Sequence, residues 1–168
     1  MTETIDGKAP VLKEGAAVHA LAYVSGNVVL GEGSSVFPGA SVRGDMAAIT
    51  LGKCSNVQDN ATLHTTEGIE LVVGDYVTVG HNAVLHSARV GDNTIIGMGA
   101  IVLDGAVVGK NCIIGAGCVI APGKHVPDGS IAVGNPFRIL RELRDSDIAA
   151  NRKNAEEYVM LSRRFAGG

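Results

Sequence analysis

Residues 90–109 read VGDNTIIGMGAIVLDGAVVG, a run in which Val90, Ile96, Val102 and Val108 stand six apart. Gly91, Gly97 and Gly109 each follow one of them, and Ala100 and Ala106 stand four places after Ile96 and Val102. A period of six fits neither a 3.6-residue helix nor a plain alternating strand; it fits a short strand followed by a turn. Outward from this run, the aliphatic series continues through Ile114, Ile120 and Val126. Toward the amino terminus it passes through Val73, Val79 and Leu85, then Leu51, Val57 and Leu63, then Leu12, Val18, Val24, Leu30, Val36 and Val42. Three such units make one triangular coil, with the aliphatic residue pointing inward and the small residue near the crowded corner. Successive coils then hydrogen-bond as parallel strands about 4.8 Å apart.

This pattern resembles the hexapeptide-repeat family of left-handed parallel β-helices. The left hand is implied by that resemblance, because the general crossover rule favours the right. Residues 1–135 are expected to form this all-β solenoid, whose pattern stops at the turn Pro127-Asp128-Gly129 and whose exit is marked by Gly134-Asn135-Pro136. Residues 136–168 are expected to form a helical segment packed on one wall. Ser146 or Asp145 is its expected cap, Asp147 suits its first turn, and Ile148, Ala155, Val159, Leu161 and Phe165 give an apolar stripe. Met46 to Thr50 and Thr66 to Val72 interrupt the period, so loops are expected to project there, at corners where solenoids often carry function.

The chain of 168 residues is long enough for one domain with a real core, and 46 % of it is hydrophobic. Aromatic residues make up only 4 %, Trp is absent and glycines number 23, so small β-branched residues must fill that core. A net charge of −3 with no basic run gives no support to a nucleic-acid surface. No apolar span approaches about 18 residues, and Met1 to Pro10 lacks the pattern of a secretory signal, so no membrane association and a cytoplasmic location are expected. Cys54, Cys112 and Cys118 lack CxxC spacing and are expected to be structural rather than a disulfide framework or a thiolate zinc site.

The repeat separates the five histidines. If Leu51, Val57 and Leu63 are the three faces of one coil, Val73, Val79 and Leu85 are the same faces one coil later. His64 and His86 each follow the third-face residue and stack one strand spacing apart. His81 lies two after Val79, with Asp59 beneath it by the same arithmetic. Tetrahedral zinc holds ligand nitrogens at about 2.0 to 2.1 Å, hence within roughly 3.5 Å of one another. His64 and His86 meet that requirement within one chain, whereas His81 belongs to another side of the prism. The geometry closes in a homotrimer in which the second face of one chain meets the third face of its neighbour, giving three sites. Three ligands leave a fourth position for water, the arrangement of a catalytic site. His19 and His125 fall out of register and are expected at the surface. The columns Arg43, His64, His86, Leu103 and Asp59, His81, Met98 place apolar residues one coil beyond the histidines, a wall suited to an uncharged substrate. Gln58 is placed to fix the orientation of the attacking hydroxide, and Arg43, Asp45 and Asp59 are expected to pair at the subunit interface.

The segments Val42-Arg43-Gly44-Asp45, Ser55-Asn56-Val57-Gln58-Asp59-Asn60, Leu63-His64, Gly80-His81-Asn82-Ala83-Val84-Leu85-His86 and Ile96-Gly97-Met98-Gly99-Ala100 resemble the gamma-class carbonic anhydrases. The resemblance spans about residues 10 to 140. It implies reversible hydration of CO2 to bicarbonate, with His64, His81 and His86 binding zinc, or alternatively ferrous iron or cobalt, between subunits. It further implies that Gln58 orients the hydroxide, that Arg43, Asp45 and Asp59 hold the interface, and that Tyr158 is a helix tyrosine near the site. The archetype carries a Glu after the residue matching Asp45 and a long acidic loop after its first ligand. Here Met46 stands at the first place and the stretch Thr65 to Glu70 is short, so the family's proton shuttle is not implied, Glu67 notwithstanding. Two rival readings belong to the same fold. One is a hexapeptide-repeat acyltransferase or CoA thioester hydrolase using a single His as base. The other is a non-catalytic zinc-binding trimeric scaffold.

Overall fold

In the computed structural model, which describes residues 1–166, the hexads wind into a left-handed parallel β-helix of about seven coils followed by one helix. Each face is a ladder of buried aliphatics. Leu30, Leu51, Val73, Val90, Val108 and Val126 line the first face, and Val36, Val57, Val79, Ile96, Ile114 and Ala132 the second. Val24, Val42, Leu63, Leu85, Val102 and Ile120 line the third. Burial of these side chains between the three faces is the main stabilising force, at about 25 cal/mol per Å² of apolar surface removed from water. Cys112 and Cys118 fill small core positions as expected, whereas Cys54 sits in a corner turn with φ of 54°. The series starts where its sequence suggests, with Leu12 and Val18 in register beneath Leu30 and Val36, but Leu12 is 41 % exposed and Val18 half-buried because no coil lies beneath them.

Met46 to Thr50 does not project as a loop. It belongs to an unbroken strand, Ser41–Leu51, which runs through the corner from the third face to the first beside Tyr23–Leu30. A register shift between Gly26 and Val28 absorbs the extra residues, and the Thr65 hydroxyl bonds the main chain of Ala47 among them, accepting from its N–H at 3.0 Å. These two long strands join the first and third faces into one twelve-stranded sheet, and the second face is an eight-stranded sheet. The second interruption does form a tight turn, closed by an antiparallel bridge between Thr66 and Ile69 with Gly68 at φ 74°.

Past the turn at Pro127-Asp128-Gly129 one more strand joins the solenoid before the exit. Ser130–Val133 pairs in parallel with Ile113–Ile114, and the chain leaves at Gly134, φ 93°. Arg138–Glu142 then folds back antiparallel on Ser130–Val133. The helix α1, Asp145–Ala166, packs across the second face. Its cap is neither Ser146 nor Asp145: the Arg144 N–H donates to Asp147 Oδ2 at 3.0 Å, and Arg141 pairs with the same oxygen at 2.7 Å. Hydrogen bonds from Arg141 and then Arg144 hold the Asp147 carboxyl below its usual range.

The packed face of α1 includes polar keys that an apolar stripe does not reveal. Asn151 is buried and its Nδ2 donates to the carbonyls of Asn93 (3.0 Å) and Cys112 (3.1 Å). Arg152 lies over the Tyr76 ring, 3.1 Å from its centre, and Val159 approaches Gly33. Tyr76, Asn93 and Gly33 all occupy left-handed turn positions of one corner, so the helix runs down a column of turns, opposite to the direction in which the coils accumulate. The side chain of Phe165 lies outside the described residues. Among the described residues, no helix is long and apolar enough to cross a membrane.

Candidate metal centre

Strand pairing sets His64 directly beside His86 and Arg43 beside His64. The two imidazoles tilt by 55° with centroids 5.1 Å apart, and His64 Nδ1 stands 3.1 Å from His86 Nε2. The far nitrogen of each ring meets a carboxylate: His64 Nε2 lies 2.9 Å from Asp45 Oδ1, and His86 Nδ1 lies 3.0 Å from Asp104 Oδ2. An ionised carboxylate only accepts, so each of those nitrogens carries the ring proton. The two nitrogens that face one another are therefore the ones with lone pairs. Two lone pairs at hydrogen-bond distance repel unless a cation engages them, and carboxylates behind neutral imidazoles are what orient and strengthen metal-ligating histidines. This donor set fits a metal ion.

The carboxylates are themselves held. Burial acts to raise the Asp45 carboxyl, but hydrogen bonds from His64 and Arg43 outweigh it and keep it below its ordinary value. Asp104 is lowered chiefly by Thr66, whose Oγ1 donates at 2.6 Å, with His86 adding to the effect. The position of Asp104 was readable in principle. It follows Leu103, the residue one coil beyond His86 in the same outward column, yet sequence reasoning stopped at Leu103.

His81 sits at the corner after the second face, its Nδ1 3.1 Å from Asp59 Oδ2, so the same argument leaves its Nε2 lone pair free. It follows Gly80, where an added Cβ would lie 2.8 Å from the Ile96 carbonyl oxygen of the next coil, too close for any other residue without a backbone shift. Among the described residues of a single chain, no three His, Cys, Asp or Glu side chains gather around one point. The chain brings His64 and His86 together and holds His81 apart. Of the charges read from sequence as interface pairs, Arg43 pairs with Asp45 within the chain, and Asp45 also contacts His64 while Asp59 contacts His81.

Beside His81 lies a cavity of about 340 Å³, lined by Gln58, Thr78, Gly80, Met98, Asn154 and Tyr158 among others. Gln58 is buried, with Nε2 donating to Asn56 Oδ1 at 3.2 Å. Tyr158 reaches the cavity from α1, its ring edge-on to Phe37 at 5.3 Å, and burial pushes its phenol pKa up, with the charges of Asp59 and Glu157 adding to the rise. Met98 is 60 % exposed in the single chain and Leu103 is half-buried. His19 accepts a hydrogen bond from the Leu21 N–H at 3.1 Å, and His125 lies in an exposed position on the first face.

The bacterial transferase hexapeptide (six repeats) family matches residues 87–122. The "Probable carbonic anhydrase" of Methanocaldococcus jannaschii is 49 % identical over 141 residues, 84 % of this chain and 89 % of that protein. The mitochondrial gamma carbonic anhydrase 1 of Arabidopsis thaliana is 39 % identical over 165 residues, 95 % of this chain and 60 % of that longer protein. A crystal structure of a hexapeptide transferase family protein from Anaplasma phagocytophilum superimposes with a TM-score of 0.94 at 34 % identity, covering 98 % of both chains.

Proposed function

The chain belongs to the gamma carbonic anhydrase family, and from that premise we propose that it hydrates CO2 reversibly to bicarbonate at a metal centre shared between subunits. The observation that supports this most is the pair of facing lone pairs on His64 and His86, each fixed by a carboxylate behind its ring. In a trimer, the second-face corner of one subunit brings its own copy of His81 to complete the set, with zinc as the proposed metal and iron(II) or cobalt(II) as alternatives. Such a metal supplies Lewis acidity that makes water a competent nucleophile near neutral pH.

The chain's own residues do the rest. Asp45, Asp104 and Asp59 hold three imidazoles in the tautomer that leaves a lone pair for ligation. Arg43 keeps Asp45 ionised. The Gln58 amide, at the edge of the cavity, orients the attacking oxygen, and Tyr158 closes the cavity from α1. Met98 and Leu103 give the uncharged substrate an apolar approach. With Met46 at the first shuttle place, protons leave to solvent buffer.

The test is metal analysis with stopped-flow CO2 hydration on protein purified without air. The expected result is about one metal per chain and hydration that vanishes in His86→Ala. Fully metal-loaded protein that leaves CO2 untouched would end the enzymatic reading. The superposition on a transferase-family structure favours a second reading, acyl transfer with one histidine as base. Consumption of acetyl-CoA that survives chelation would support it over the first.

A further inference from the structure

The cavity beside His81 is wired to α1 by a run of buried side chains. Gln58 Nε2 donates to Asn56 Oδ1 at 3.2 Å, and Asn56 Nδ2 donates to Thr78 Oγ1 at 3.0 Å. From the helix, Asn154 Nδ2 donates to the same hydroxyl oxygen at 3.1 Å. Gln58, Asn56 and Thr78 are each at most 3 % exposed, so water does not compete for these bonds. We propose that Thr78 is a positioning residue that fixes which end of the Gln58 amide faces the cavity, and that α1 holds it there through Asn154.

The reasoning is one of donor and acceptor bookkeeping. A primary amide is symmetric in shape but not in chemistry, with an acceptor at one end and two donors at the other. Both acceptor positions of the Thr78 hydroxyl are taken by amide nitrogens. With Asn56 Nδ2 and Asn154 Nδ2 both donating to Thr78 Oγ1, the oxygen of Asn56 is the end that accepts from Gln58 Nε2, which leaves the oxygen as the free end of the Gln58 amide. An oxygen there accepts the proton of the attacking hydroxyl group and leaves its lone pair for CO2. An inverted amide would offer N–H donors and tie up the electron pair that must attack. Asn154 is placed by the same helix that is keyed through Asn151 to Asn93 and Cys112 and that carries Tyr158 into the cavity. Helix docking and amide direction are thus one device.

This inference rests on the reading of Gln58 given above, so its test has a readout independent of turnover. Thr78→Val keeps the β-branched shape and removes the hydroxyl, Thr78→Ser restores it, and Asn154→Ala cuts the same link from the helix side. The side-chain amide protons of Gln58, assigned by their loss in Gln58→Ala, are followed by NMR hydrogen exchange. Slow exchange is expected in the parent protein and in Thr78→Ser, with faster exchange in Thr78→Val and Asn154→Ala. In CO2 hydration, kcat is expected to fall about 10- to 100-fold in Thr78→Val and to recover in Thr78→Ser, with KM and metal content near parent values. Unchanged amide exchange in both Thr78→Val and Asn154→Ala would overturn the proposal. So would a Thr78→Ser protein that behaves like Thr78→Val, because the methyl group would then be what matters. A parent protein inert toward CO2 would sink the functional reading alone, and the exchange measurement would still decide the relay.

Discussion

His64 Nδ1 and His86 Nε2 face one another across 3.1 Å because Asp45 and Asp104 each grip the far side of one ring. The carboxylates decide which nitrogens are available, so in the proposed centre they would govern metal affinity from behind the rings. Asp104→Ala is expected to weaken binding about 10- to 100-fold, read by competition with a chromophoric chelator. Parent-like affinity would show that His86 keeps its tautomer unaided.

The proposed sharing of the site between subunits makes a quantitative prediction about mixtures. His81→Ala and His86→Ala chains are each inactive alone, yet a site formed by His64 and His86 of the first with His81 of the second is complete. Random co-assembly restores about a quarter of parent activity per chain in a cyclic trimer. Mixtures as inert as the separate variants would place all three ligands in one chain.

Core burial differs sharply along the hexad series. Ile114 is fully buried, and Ile114→Ala is expected to cost about 2–5 kcal/mol in denaturant unfolding. Leu12 is 41 % exposed at the open end, so Leu12→Ala should stay within about 1 kcal/mol. Equal losses at both positions would contradict the fold's open first coil.

Asp147 gives the carboxyl-terminal segment an acid-sensitive anchor. Its folded-state pKa lies below the ordinary 3.8, so it binds protons more weakly folded than unfolded. The stabilisation it provides is complete above 3.8 and fades as pH falls through the depressed value. Helical circular dichroism should therefore show a loss in that acid window that is missing from Asp147→Asn, and identical acid profiles would rule the anchor out.

The solenoid and the His64–His86 pair were legible in sequence because inward-pointing residues recur at one fixed period, and the ladder pairs Leu63 with Leu85 and His64 with His86 as that period requires. Interruptions were harder to read. Met46 to Thr50 looks like an insertion, but pairing of Ile49 and Thr50 on both sides draws the stretch into one extended strand. Asp104 escaped notice because its role depends on a side chain turning back toward the previous coil, which periodicity does not encode. Asn151 was invisible in an apolar stripe for a related reason: it satisfies two main-chain carbonyls in a buried seam, a demand set by the partner surface.

The way α1 rides its column of turns limits how such a molecule can grow. A helical turn advances about 5.4 Å and a coil about 4.8 Å, so the two scales slip by only about 0.6 Å per layer. From Asn93 to Gly33 three layers rise about 14 Å while Asn151 to Val159 advances about 12 Å, a difference of about 2 Å that the side chains of Asn151, Arg152 and Val159 take up in finding their seats. The two rulers act as a vernier. An added layer within that span would throw the seats out of phase, whereas one added ahead of Leu12 would disturb none of them and would roof over the bare end of the prism.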